Sequence, residues 1–188
     1  MSDKQIEITA QIIGVFAMAF NIFSYQQKQQ KWIIALQLIG SALFAVNFFM
    51  LGSYMGGLLN VVGIVRAIVF LCKGKLKSDH ILWLIAFVLV YVASYVLTFT
   101  WLKVEFNPFH AIIEILPVIG MTATSIAFRC KTAKSTRLWG LVSSPSWLVY
   151  NVVSLNVGAI CCEVFSLVSI VVGLIRLDRK KELGEKDA

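Results

Sequence analysis

Read for polarity alone, the chain is a series of long apolar stretches separated by short polar or glycine-containing connections. Seven such stretches fall near residues 8–25, 32–51, 55–72, 80–101, 109–128, 137–152 and 157–177, the sixth being shorter and softer at its limits. A helix needs about 20 mostly apolar residues to cross a bilayer. Each stretch is therefore read as a membrane-spanning helix, and little chain is left for a soluble domain.

The pattern repeats. Val61-Val62-Gly63-Ile64-Val65-Arg66 returns as Val171-Val172-Gly173-Leu174-Ile175-Arg176. Upstream, Ile13-Gly14 and Trp32 are echoed by Ile119-Gly120 and Trp139. Between Trp and Arg each copy carries an aromatic, an Asn and a short uncharged turn. These are Phe44, Asn47 and the turn 51–54 in one copy, and Trp147, Asn151 and the turn 154–157 in the other. Fixed-order self-similarity marks one structural unit used twice. The expected fold is all-α and integral to the membrane, with seven helices arranged 3+1+3. Residues 8–72 form one triplet, 80–101 an unrepeated linker helix, 109–177 a second, parallel triplet, and 178–188 a polar tail. The linker follows from parity, since three crossings leave the chain on the wrong side for a parallel repeat.

Polar residues inside these stretches pick out inward faces. Gln37, Ser41, Phe44 and Asn47 share one face of the second stretch, and Asn60, Gly63 and Arg66 lie on the third. The fifth carries His110, Glu114, Pro117 and Met121 on one face; the sixth carries Ser143, Ser144, Pro145 and Trp147. Asn21, with Ala10, Gly14 and Ala17, makes a small face on the first stretch, fit for close helix packing or for a cavity wall. A charge facing hydrocarbon costs several kcal/mol unless it pairs or snorkels. Arg66 and Arg176 then either snorkel or help close an inner gate. Glu163 has two readings: a structural acid bonded to a Ser or paired with an Arg, or a proton-coupling group, within hydrogen-bond reach of Ser166, that releases and regains a proton as the cavity opens. Pro117 and Pro145 permit kinks.

Composition agrees. The chain has 188 residues, 59% of them hydrophobic, against about 45–50% in ordinary globular chains. The net charge of +7 does not indicate nucleic acid, because it is distributed by loop. Lys28 and Lys31, then Lys73, Lys75 and Lys77, then Arg129, Lys131, Lys134 and Arg137, and finally Arg179, Lys180, Lys181 and Lys186 occupy every second connection or the tail. That alternation places the N-terminus outside the cytoplasm and the C-terminus inside. Ala17-Met18-Ala19 loosely matches a signal-peptidase site, but Asp3 and Glu7 argue against a cleaved leader. Four Cys and two His show no metal spacing, and no disulfide framework is expected. No phosphate loop, nucleophile elbow or complete triad is present, so neither an enzyme nor a cofactor is expected.

The 3+1+3 layout resembles the SWEET and PQ-loop superfamily. More closely, Glu114-Ile-Leu-Pro-Val-Ile-Gly120 and the stretch to Arg176 resemble the YgjV-type bacterial inner-membrane proteins, over about residues 11 to 178. In sugar-carrying SWEET relatives an Asn on the third helix and a Trp on the second helix of each unit line the cavity. Asn60 and Trp147 match one of each. Phe44 and Ile170 replace the other two, and Tyr25-Gln26 stands where a Pro-Gln hinge would be. The resemblance implies a small-solute facilitator or carrier, with sugar left open as substrate. Expected cavity residues are Asn47, Asn60, Trp147, Asn151, Glu163 and Ser166; expected gating or structural residues are Arg66, Glu114, Pro117, Pro145 and Arg176. Expected partners are the lipid bilayer and a small polar solute, with a second copy of the chain left open. The alternative is a non-transporting scaffold or sensor with the same fold, and a lipid-modifying enzyme ranks last. A polar cavity between the two units discriminates the first two.

Overall fold

The structure, a computed structural model, describes residues 3–52, 54–101, 106–153 and 157–179. Among these the chain forms eight α-helices and no strand: α1 (Asp3–Ser24), α2 (Gln30–Met50), α3 (Tyr54–Leu71), α4 (Lys73–Leu76), α5 (Ile81–Thr100), α6 (Pro108–Arg129), α7 (Ala133–Val153) and α8 (Val157–Gly173). A π-helical turn, Leu174–Arg179, continues α8. Every expected stretch is a helix. The short α4 carries no apolar pattern of its own and is not expected, and the seventh stretch ends in a π-helical turn rather than continuing as α-helix. Ser53, residues 102–105, the turn at 154–156 and the tail from 180 onward, with Lys103, Glu105, Lys180, Lys181 and Lys186, lie outside the described residues.

Helix ends follow local chemistry. The Asn107 side chain accepts from the His110 backbone N–H at 2.9 Å, with Pro108 opening α6, the pairing of N-cap and N1 proline that helix starts favour. Gly52, at φ +72°, makes the turn between α2 and α3.

Among the described residues, five helices are long and apolar enough to cross a membrane: α1, α2, α5, α6, and α8 with its π-helical turn. Gly56–Leu71 of α3 is apolar but shorter. Helix α7 is the most polar of the long helices because its buried face carries Thr136, Arg137, Ser143, Ser144 and Asn151. Large apolar side chains such as Phe16, Phe23, Leu89, Phe165 and Val168 face outward, as expected of a surface solvated by lipid.

Packing follows one order in both halves. Helix α2 packs between α1 and α3, and α7 between α6 and α8. Contacts of α1 with α8 and of α3 with α6 close these six helices into a ring, with α5 packed outside against α6 and α3. Small residues bring the walls together. A Cβ on Gly40 would lie 2.7 Å from Asn21 of α1, and one on Gly120 would lie 2.7 Å from Trp147 of α7. Where α3, α5 and α6 meet, Phe70, Phe87, Tyr91 and Phe128 form an aromatic core.

Hydrogen bonds gather the α1–α2 loop and the π-helical turn around Arg137, and α4 against the α6–α7 loop, at one end that carries most of the basic residues. One sequence assignment is corrected there. Arg137 is not a loop charge: it is fully buried, one turn inside α7.

Candidate functional site

Inside the ring lies a polar cavity of about 100 Å³. Its walls come from all six ring helices: Asn21 on α1; Gln37, Ser41, Phe44 and Phe48 on α2; Asn60 and Arg66 on α3; Met121 and Thr124 on α6; Ser143, Ser144, Trp147 and Asn151 on α7; Ala159, Cys162, Glu163 and Ser166 on α8. Tyr25, just past α1, completes the wall. The lining reaches from Phe48, Asn60, Asn151 and Ala159, near the end with the α2–α3 turn, through mid-helix Ser41, Arg66 and Glu163, to Tyr25 near the basic end. Hydroxyls tie the wall together: Thr124 and Ser143 are 2.9 Å apart, and Ser143 donates to the Gly120 carbonyl at 3.0 Å.

Arg66 is 5% exposed. Its Nη1 donates to the Met121 carbonyl at 3.1 Å and to the Tyr91 hydroxyl at 3.3 Å. Tyr91 is itself 2.9 Å from Ser125, and the guanidinium stands 5.1 Å from the Phe128 ring centre, within cation–π reach. Its Nε has no partner, and among the described residues no carboxylate is in ion-pair reach of it. Glu163 and Ser144 stand on the α7 and α8 side of the same cavity. Asn151 is buried with its Oδ1 unpartnered.

The basic end is closed by polar bonds between the halves. Gln26 Nε2 donates to the Ser169 carbonyl at 2.7 Å, and Ser169 Oγ donates to the Ile22 carbonyl at 2.7 Å. Arg137 binds Asp178 at 2.8 Å, the Tyr25 carbonyl at 2.7 Å and the Gln27 carbonyl. Gly173 leaves room for that guanidinium, since a Cβ there would lie 2.7 Å from Arg137 Nε. On the other side Lys73 donates to the Cys130 carbonyl at 2.8 Å, and Gln30 Nε2 to the Ala127 carbonyl at 2.8 Å. Desolvation draws the Lys73 ammonium below the ordinary lysine range, opposed by Asp79 at 3.5 Å.

Of the expected cavity residues, the structure brings Asn60, Trp147, Asn151, Glu163 and Ser166 together. Asn47 is a correction. Its Nδ2 donates to the Ala10 carbonyl at 2.7 Å, so it fastens α2 to α1 outside the polar cavity. Glu163 and its expected partner Ser166 both line the cavity. Arg66 and Arg176 differ in surroundings: Arg66 lines the cavity, whereas Arg176 is exposed in the π-helical turn. Glu114, Pro117 and Pro145 are absent from the cavity wall, and both prolines lie inside continuous helices. Tyr25 and Thr124 were missed. Thr124 follows Gly120 by one turn, on the face toward α7, and that spacing is the signal that could have found it.

A helical bundle with apolar outer faces and a polar interior defines a polytopic membrane protein. The chain belongs to the Imp-YgjV family of bacterial inner membrane proteins, whose match covers residues 8–181. It is similar to inner membrane protein YgjV of Escherichia coli strain K12, 25% identical over 93% of this chain and 87% of that protein. No solved structure matches it.

Proposed function

We propose that this protein is a small-solute facilitator or carrier of the bacterial inner membrane, with its site in the cavity between two helix triplets. In this reading seven helices span the bilayer as 3+1+3, α5 being the linker, within the SWEET-like architecture that the repeat resembles. The N-terminus is extracytoplasmic and the C-terminus cytoplasmic, because basic residues of bacterial membrane proteins concentrate on the cytoplasmic side. Transport by paired repeats proceeds when one repeat rocks against the other around a midplane site. The observation that carries the reading is a polar cavity walled by both triplets. The polar bonds at the basic end support an outward-facing state, with the Gln26–Ser169 and Arg137–Asp178 contacts as the cytoplasmic closure.

Uptake of radiolabelled sugars, amino acids and vitamins into proteoliposomes tests the proposal. Saturable, protein-dependent uptake of one class is the expected result. Uptake equal to that of empty liposomes across all classes sinks it in favour of a scaffold or sensor.

A further inference from the structure

Resting on that reading, we infer that the cavity takes a small monovalent oxyanion, held by Arg66 Nη2 and the Ser41 hydroxyl. A guanidinium stays protonated in proteins, so Arg66 carries its charge into the interior. Hydrogen bonds and an opposite charge together replace what such an ion loses on leaving water. Arg66 has the hydrogen bonds on one side only. Nη1 donates to the Met121 carbonyl and the Tyr91 hydroxyl, and the Phe128 ring centre stands 5.1 Å from the guanidinium. These contacts with α5 and α6 hold the group in place without neutralising it. Among the described residues no carboxylate is in ion-pair reach of it.

The donor that remains borders the cavity. Nε is shut in, whereas Nη2 bonds none of the described residues and is not closed off from the cavity that Arg66 lines. Ser41 of α2 lines the same cavity, and its hydroxyl likewise bonds none of the described residues. Gly63 of α3 brings the two together. A Cβ there would lie 3.4 Å from Ser41 Oγ and 3.8 Å from Arg66 Nη2. Those are ordinary contact distances, so both donors border one point that the bare glycine leaves open. Bonds from such donors to one anionic oxygen are charge-assisted and of the stronger kind. Other donors of the wall already serve backbone carbonyls: Asn21 that of Ala17, Asn60 that of Gly56, and Thr124 and Ser143 that of Gly120. The other titratable side chains of the wall, Tyr25, Cys162 and Glu163, lie just past α1 and on α8, and the site draws on none of them. A space of about 100 Å³ holds only a few water-sized groups, each about 30 Å³, which suits an anion as small as formate, acetate or nitrate. A neutral solute of that size leaves the Arg66 charge unmatched.

The test measures thermal unfolding of the full chain in detergent at fixed pH, titrating sodium formate, acetate and nitrate. A bulky organic sulfonate holds the ionic strength constant. Acetamide and formamide are the neutral controls, and methylammonium the cationic one. We expect a saturable rise in unfolding temperature with at least one of the anions and none with the controls. Arg66→Gln should abolish that rise. Ser41→Ala, which leaves the Met121 and Tyr91 bonds intact, should weaken the anion by about tenfold, the loss of one hydrogen bond to a charged group. It carries the test if Arg66→Gln does not fold. Arg176→Gln removes the same charge from the exposed π-helical turn and should leave the rise unchanged. An equal rise with any control, no rise with any of the anions, or a rise that survives both Arg66→Gln and Ser41→Ala overturns the inference. So does a rise that Arg176→Gln removes as fully as Arg66→Gln. Binding without proteoliposome uptake keeps the site and removes the transport reading. Uptake of a neutral solute unaffected by Arg66→Gln keeps transport and removes the anion.

Discussion

At the scale of single residues, Asn47 and Asn60 show how far polarity on an inward face can be read. Both lie on faces that lipid would penalise, and both were expected to border the cavity. The structure separates them: Asn47 Nδ2 bonds Ala10 of α1 at 2.7 Å, while Asn60 Nδ2 bonds its own helix at Gly56, 2.9 Å away. Periodicity fixes the direction of a side chain but not which neighbour it meets. Asn47→Ala should lower stability by about 0.6 kcal/mol and at most about 1.7, the range for interhelical hydrogen bonds in membranes. Asn60→Ala should leave stability nearly unchanged, since only an intrahelical side-chain bond is lost, and should act on solute binding instead. Unfolding in a detergent series, paired with uptake, separates the two; equal loss of stability in both variants would contradict the assignment.

At the scale of elements, the helices were legible to within a few residues because apolar length is a strong signal. The basic end was not. Counting positive charges treats every Arg alike, and Arg137 looks like one more loop cation in Lys134-Ser-Thr-Arg137. Its burial arises from a tertiary partner, Asp178, on a π-helical turn that no pattern announces. Removing one member of a buried ion pair is strongly destabilising, by about 3–5 kcal/mol. Asp178→Asn should therefore cost about that much, because Arg137 keeps its carbonyl partners but loses its counter-charge. Arg137→Met combined with Asp178→Leu should recover most of the loss, since replacing a buried pair by apolar residues is often neutral. A double variant as unstable as Asp178→Asn alone would show that the carbonyl bonds to the α1–α2 loop carry the stability.

At the scale of the whole molecule, the long apolar stretches made the all-helical character readable, while the order in which the helices pack, α2 between α1 and α3 and α7 between α6 and α8, is a tertiary fact. The asymmetry between the halves was hidden, because Arg66 and Arg176 end matching runs yet one is buried and the other exposed. Orientation in the bilayer rests on charge, and the fold turns it into a sharp test. Lys28 of the α1–α2 loop and Lys131 of the α6–α7 loop share one end, and Leu51 of the α2–α3 turn lies at the other. Lys28→Cys and Lys131→Cys, in a chain with its four native cysteines replaced by Ser, should resist a membrane-impermeant maleimide in intact spheroplasts and react after lysis. Leu51→Cys should react in both. A C-terminal fluorescent fusion should be bright, and an alkaline phosphatase fused there inactive. Labelling of Lys28→Cys in intact spheroplasts, or an active phosphatase, would invert the orientation and turn the cavity's closed end toward the periplasm.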